Sequence, residues 1–213
     1  MAVRYIAVEG LIGAGKTTLA KRLAEERQAR LVLEEFDDNP FLERFYADPE
    51  RHAFAVELSF LAQRYHQLKR ITEQDLFRPD TVADYSLGKS MVFASVTLPD
   101  DEYALFRDLY TIMYSDLPAP ELIVYLHLGP ERLQQRIRLR GRSYEQNIEA
   151  AYLLRLQDRY MDHLRKGVGS RVLVVDLADR DLLHEPDAYA LLKERIDDPN
   201  GPAYAVLDLG KHR

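Results

Sequence analysis

The sequence runs to 213 residues, enough for one domain with a sizeable core, and we read 1–213 as a single unit. It has no cysteine, which excludes disulfides, thiolate catalysis and cysteine-rich zinc sites and fits a reducing cytoplasm. A formal net charge of −6 argues against a nucleic-acid polymer as ligand; no apolar run approaches the roughly 20 residues of a membrane span, and no signal-peptide pattern is visible.

Short apolar runs alternate with longer helical patterns. The runs are Tyr5–Val8, Leu31–Leu33, Thr81–Ala83, Leu122–Leu128 and Val172–Val175. Helical patterns fall near 16–27, 49–74, 86–96, 101–117, 130–140, 148–166 and 187–196. This alternation predicts an α/β fold, a five-stranded parallel sheet with helices on both faces. In such sheets ligands sit at the carboxyl ends of the strands, so the acids placed there stand out: Glu9, Glu34, Glu35, Asp84 and Asp176. After Asp197, "DDPNGP" marks a turn, and the tail 197–213 carries "YAVLDL", a candidate for a short extended piece.

The first run is followed by "GLIGAGKTT", which fits G-x-x-x-x-G-K-[ST] from Gly10 to Thr17. Glycines let the backbone wrap closely around an anion, and N–H groups at a helix N-terminus point at it. Gly10, Leu11, Ile12, Gly13, Ala14, Gly15, Lys16, Thr17 and Thr18 are therefore the expected ATP-binding loop, with Asp176 assigned to the same ligand. Lys16 reaches the β- and γ-phosphates, and the Thr17 hydroxyl ligates Mg²⁺. A tight glycine turn before a helix is the bland reading, and the complete pattern with its flanks speaks against it. Glu57 and Arg64 lie seven residues apart on one helix, on nearly the same face and about 10 Å apart along the axis. They are too distant to pair directly. An acceptor and a donor facing one cleft suit a nucleobase edge; two solvated charges are the alternative.

With "GLIGAGKTT", "LEEFDDNPFLERFYADPERHAF", "DYS" and "RIRLRGRSYEQNI" together, the chain resembles the deoxynucleoside kinases, and among them the bacterial deoxyadenosine and deoxyguanosine kinases. The likeness runs from about Arg4 to Ile196. It implies a P-loop kinase fold with an Arg-rich lid near 136–147. The implied reaction is transfer of the γ-phosphate of ATP to a deoxynucleoside 5′-hydroxyl with Mg²⁺. It also implies a cytoplasmic homodimer whose other partners are the small-molecule deoxynucleoside and ATP.

The same resemblance distributes roles. Glu34 falls on the general base, and Glu35 stands where a proline is usual, so either could serve, with Glu34 favoured. Asp84 falls on the Mg²⁺ site. The family reads Asp-Arg-Ser or Glu-Arg-Ser where this chain has Asp84-Tyr85-Ser86; Lys89 either supplies the missing charge or is an exposed helix lysine. Arg136, Arg140 and Arg142 are implied phosphate contacts, and Arg138 has no equivalent role. Glu145 and Tyr46 are implied contacts to the sugar 3′-hydroxyl. Glutamine and arginine are usual at positions 57 and 64 for reading the base, and a base-reading aspartate falls on Ser90. An ionised Glu57 only accepts. That favours a purine, with a lean to guanine, whose N1–H and N2–H can both bond one carboxylate.

Two other readings remain open. A thymidylate-type nucleoside monophosphate kinase would need a second phosphate site. A guanine-nucleotide switch would need an N-K-x-D element, which the sequence lacks.

Overall fold

In the computed structural model, residues 4–35, 39–70, 80–115, 117–182 and 184–211 are described. Six strands form one sheet: β1 (Tyr5–Gly10), β2 (Arg30–Val32), β3 (Thr81–Ala83), β4 (Leu122–His127), β5 (Arg171–Asp176) and β6 (Tyr204–Asp208). Their order is β2-β3-β1-β4-β5-β6 and every pairing is parallel. All six residues of β1 are buried, the pattern expected of a strand covered on both faces.

The helices are α1 (Lys16–Arg27), α2 (Leu42–Ala47), α3 (Pro49–Lys69), α4 (Gly88–Thr97), α5 (Asp100–Tyr114), α6 (Pro130–Arg140), α7 (Ala150–Arg165) and α8 (Pro186–Asp197). The start of α3 follows from its sequence: Asp48 accepts the Arg51 N–H at 3.4 Å, and Pro49 needs no N–H in the first turn. The forecast to residue 74 passes Arg70 into residues outside those described. Val82 and Ala83, neighbours in β3, join different apolar clusters, as successive strand side chains must. One cluster unites α1, α7 and α8 with the central strands, and the other gathers α3, α4 and α5.

Two elements correct the sequence expectation. The sheet has six strands rather than five, because the tail provides β6. Residues 198–201 turn the chain, with Asn200 N–H on Asp198 Oδ1 at 2.9 Å, and Tyr204–Asp208 then pairs with Val172–Asp176. Four apolar residues ahead of Asp208 show no period of their own; the partner strand decides their conformation. The six-residue α2 is the other addition, too short for a helical pattern to register.

The strand order reverses at β1, with β3 on one side and β4 on the other. That reversal opens a crevice at the carboxyl end of β1, where the glycine loop begins.

Candidate active site

The loop from Gly10 to Thr18 is shaped by close approach. Gly10 has φ 146°, and a Cβ there would lie 2.8 Å from the Leu126 carbonyl of β4. Gly15 caps α1 at φ 96°, with the Arg136 guanidinium beside it. Lys16 Nζ donates to the Leu11 carbonyl at 3.0 Å. Burial and the nearby Lys89 ammonium bring its pKa down to about 8, opposed by Glu34, Glu9 and Asp84.

Asp84, at the end of β3, is buried and bonds in two directions. Thr17 Oγ1 donates to its Oδ2 at 2.6 Å, and the Glu34 N–H donates to its Oδ1 at 2.7 Å. One carboxylate thus joins the first turn of α1 to the segment after β2. A single carboxylate beside one hydroxyl, next to a phosphate loop, suits Mg²⁺, which keeps several waters and takes its other oxygens from phosphates. Among the described residues no group of three or more acidic, histidine or cysteine side chains offers a fuller cage.

The two adjacent glutamates part company. Glu35 is exposed. Glu34 turns inward: Arg64 Nε and Nη2 bond Oε1 at 3.0 and 2.6 Å, and Lys89 Nζ bonds Oε2. Burial alone would raise the Glu34 pKa, but the Lys89 and Arg64 cations outweigh it and hold the group down to about 2. Lys89 is itself buried, so it is not an exposed helix lysine. Tyr85 is fully buried, and its hydroxyl donates to Gln67 Oε1 at 2.8 Å, away from the cleft. The positive charge lacking at position 85 is therefore placed at the carboxylate by Lys89.

Arg64 was expected to face a base. Its guanidinium lines the same cleft as Glu57 and bonds Glu34 and, through Nη1, the Ser90 hydroxyl at 2.7 Å. Glu57 is buried and meets Thr97 Oγ1 at 3.1 Å. Burial raises its pKa to about 7, with Arg64, Thr97 and Lys89 working against the rise. Glu57 is thus harder to ionise than an ordinary carboxyl. Phe60 and Phe93 flank this charged floor, under the Arg64 guanidinium at 4.9 Å and the Lys89 ammonium at 5.5 Å. Spaced aromatics on a helix read as core in sequence, and only the fold turns these two toward the cleft.

Arg136 and Arg140 project from α6, and Gly141 ends that helix at φ 76°, so Arg142 and Glu145 turn back over the cleft. Arg136 Nη1 donates to the Ala14 carbonyl at 3.2 Å. Glu145, buried, pairs with Arg140 and with Arg142 at 3.5 Å. Arg138 is exposed. Tyr46 stacks on Tyr144 with centroids 5.7 Å apart, a partner the sequence did not announce. Glu9 is buried and accepts from the Ser86 N–H at 2.6 Å and the Tyr160 hydroxyl at 3.1 Å, a structural tie behind the loop.

Two clefts result. One is lined by Tyr46, Glu57, Phe60, Arg64, Phe93 and Tyr152 among others; the second runs along Gly13, Gly15, Thr18 and Arg136. Lys16, Thr17, Glu34, Asp84, Arg140 and Arg142 line both, so the clefts meet at these side chains. Asp176 belongs to neither. It accepts the Ala178 N–H at 3.1 Å to close the turn after β5, and Leu177, Asp181 and Leu182 line the outer side of the glycine loop instead.

The family model described as "Deoxynucleoside kinase" matches residues 6–198. A deoxyguanosine kinase of Bacillus subtilis is 38% identical over 157 residues, covering 73% of this chain and 76% of that protein. A deoxyadenosine/deoxycytidine kinase of the same organism is 31% identical over 199 residues, 90% of each chain. Among solved structures, deoxyadenosine kinase from M. mycoides with bound dATP superposes with a TM-score of 0.79 at 23% identity, covering 92% of this chain and all of that one, a likeness of fold.

Proposed function

The chain belongs to the deoxynucleoside kinase family, and from that premise we propose that it transfers the γ-phosphate of ATP to the 5′-hydroxyl of a purine 2′-deoxynucleoside, as a salvage step. The observation that carries the reading is the junction of two clefts at an ionised Glu34. One cleft has the chemistry for a triphosphate and the other for a nucleoside, and the carboxylate stands where a hydroxyl would meet phosphorus.

In this reading the glycine loop, Lys16, Arg136, Arg140 and Arg142 bind the phosphates and neutralise charge that builds on the transferring group. When bound, Mg²⁺ would neutralise phosphate oxygens; Thr17 and Asp84 would hold it. Glu34 accepts the hydroxyl proton. A carboxylate with so low a pKa does not deprotonate a free alcohol; it takes the proton as the bond to phosphorus forms and the hydroxyl turns acidic. Tyr46 and Glu145 position the sugar, and Glu57 faces the base. Closure of the arginine segment excludes water and limits wasteful hydrolysis.

The purine is favoured by Glu57 and by Ser90, which takes an Arg64 hydrogen bond where an acidic base reader is common in the family. The name of the Bacillus subtilis deoxyguanosine kinase points the same way. Cytoplasmic location and a homodimer belong to the same proposal; among the described residues no helix is long and apolar enough to cross a membrane. Light scattering on the purified chain tests the dimer. The reaction is tested by incubating the protein with ATP, Mg²⁺ and each of the four deoxynucleosides. Purine deoxynucleoside monophosphates are the expected products; free phosphate alone would point to an ATPase or switch.

A further inference from the structure

Glu57 is nearly inaccessible, yet no cation neutralises it by a direct bond among the described contacts. Arg64 commits three bonds to Glu34 and Ser90. What Glu57 has is a hydroxyl, and that hydroxyl is shared. Thr97 Oγ1 lies 3.1 Å from Glu57 Oε1 and 3.0 Å from the Phe93 carbonyl oxygen. The hydroxyl carries one hydrogen, and a carbonyl can only accept. If the hydrogen points to Phe93, Oγ1 turns a lone pair to Glu57, and that contact closes only when Glu57 carries a proton. If Glu57 is ionised, the hydroxyl rotates its hydrogen to the carboxylate and leaves Phe93 to the backbone bonds of α4. One torsion satisfies either charge state.

The surroundings do not force one state. Arg64 on α3 and Lys89 on α4 favour the carboxylate, and Glu34 opposes it. Tyr46 on α2 and Tyr152 on α7 also face it, and burial keeps both phenols protonated. Burial of Glu57 balances the cations near neutral pH.

We propose that Glu57 reads purines in two protonation states: as a carboxylate it accepts both N1–H and N2–H of guanine, and as a neutral carboxyl it accepts from N6–H of adenine while donating to an adjacent ring nitrogen. The two patterns are complementary, and each base leaves a mispaired buried group with the wrong form. This rests on the reading of the cleft as a deoxynucleoside site. Its consequence is that the choice between deoxyguanosine and deoxyadenosine follows pH.

The test is a competition. Both purine deoxynucleosides are offered together with ATP and Mg²⁺, and the ratio of the two monophosphates is followed from about pH 6 to about pH 8. Ionisations common to both reactions cancel in the ratio, Lys16 included. With a midpoint near 7, the ionised fraction rises about tenfold across that span and the neutral fraction falls about tenfold, so the ratio can climb by at most about 100-fold. The expected result is a climb toward deoxyguanosine of more than about threefold that vanishes in Glu57→Gln, whose amide donates and accepts at every pH. A smaller climb, or one that Glu57→Gln retains, overturns the proposal. Thr97→Val keeps the acid and removes its hydrogen donor, so the midpoint should move to higher pH; an unmoved midpoint also counts against it. If neither purine is phosphorylated at any pH, the deoxynucleoside-kinase reading itself fails and takes this inference with it. If both are phosphorylated in a fixed ratio, only this inference falls.

Discussion

The Lys89 ammonium is bonded to Oε2 of Glu34 inside the cleft, while Arg64 holds the other carboxylate oxygen. The carboxylate is fixed in charge and direction before any ligand enters. Lys89 sits in the first turn of α4, so the helix backbone, and not a loop, sets where that charge lies.

Glu34→Gln keeps the side chain's shape and removes its capacity to take a proton. Turnover should fall by roughly 10²–10⁴, with ATP binding retained. Glu35→Gln should leave turnover within about twofold, since surface substitutions remote from such features act weakly. Steady-state rates on both variants check the assignment, and a larger loss in Glu35→Gln would move the base one residue along.

Lys89→Met tests the ion pair through pH. In the wild type Glu34 stays ionised down to about pH 2, so it gives no acid limb in kcat/KM above about pH 4. Without Lys89, burial is opposed chiefly by Arg64 and the Glu34 pKa rises, so an acid limb should enter the measurable range. Lys89→Arg should remove that added limb. A Lys89→Met profile indistinguishable from the wild type on the acid side would show that the remaining cations suffice.

Asp84→Asn should raise the Mg²⁺ concentration needed for half-maximal activity by roughly 10- to 100-fold, the scale seen when the support of a metal site is lost. The amide cannot accept from both Thr17 and Glu34 as the carboxylate does. A Mg²⁺ titration of initial rates reads the change, and an unshifted curve would remove Asp84 from the metal site.

Glu57 makes a prediction on stability that needs no substrate. Its folded pKa, about 7, lies above that of an ordinary carboxyl, so between about pH 4.5 and 7 the folded state binds more protons than the unfolded one. Stability contributed at Glu57 is therefore present below that window and falls as pH rises through it, by about 3 kcal/mol at most. Glu57→Gln escapes this loss. The Tm of the variant minus that of the wild type should increase from pH 5 to pH 8; a constant difference would mean that Glu57 titrates normally.

The glycine loop was legible because it is a contiguous pattern whose chemistry needs those residues in that order. Strand-end acids were legible as a set, since a parallel sheet puts them on one edge; the preference for Glu34 over Glu35 came from the family resemblance and not from spacing. Glu34 and Glu35 are neighbours in sequence, and only the crossing of Arg64 and Lys89 from two other helices decides which one turns inward. Asp176 occupies an equivalent strand end, and one of its carboxylate oxygens accepts the Ala178 N–H in the turn that follows. The charge state of Glu57 was out of reach too, because it depends on burial against α4 and on how Arg64 is already engaged.

The two-way grip of Asp84 has a consequence for hydrogen exchange. The Glu34 amide lies outside regular structure, where amides ordinarily exchange within reach of local fluctuations. Its hydrogen is nevertheless held at 2.7 Å by a buried carboxylate that is anchored, through Thr17, to the first turn of α1. Deuterium can enter at Glu34 only when that carboxylate lets go. Protection at this one amide therefore reports how often the glycine loop and the segment after β2 come apart, a breathing rate that can be followed with no ligand present.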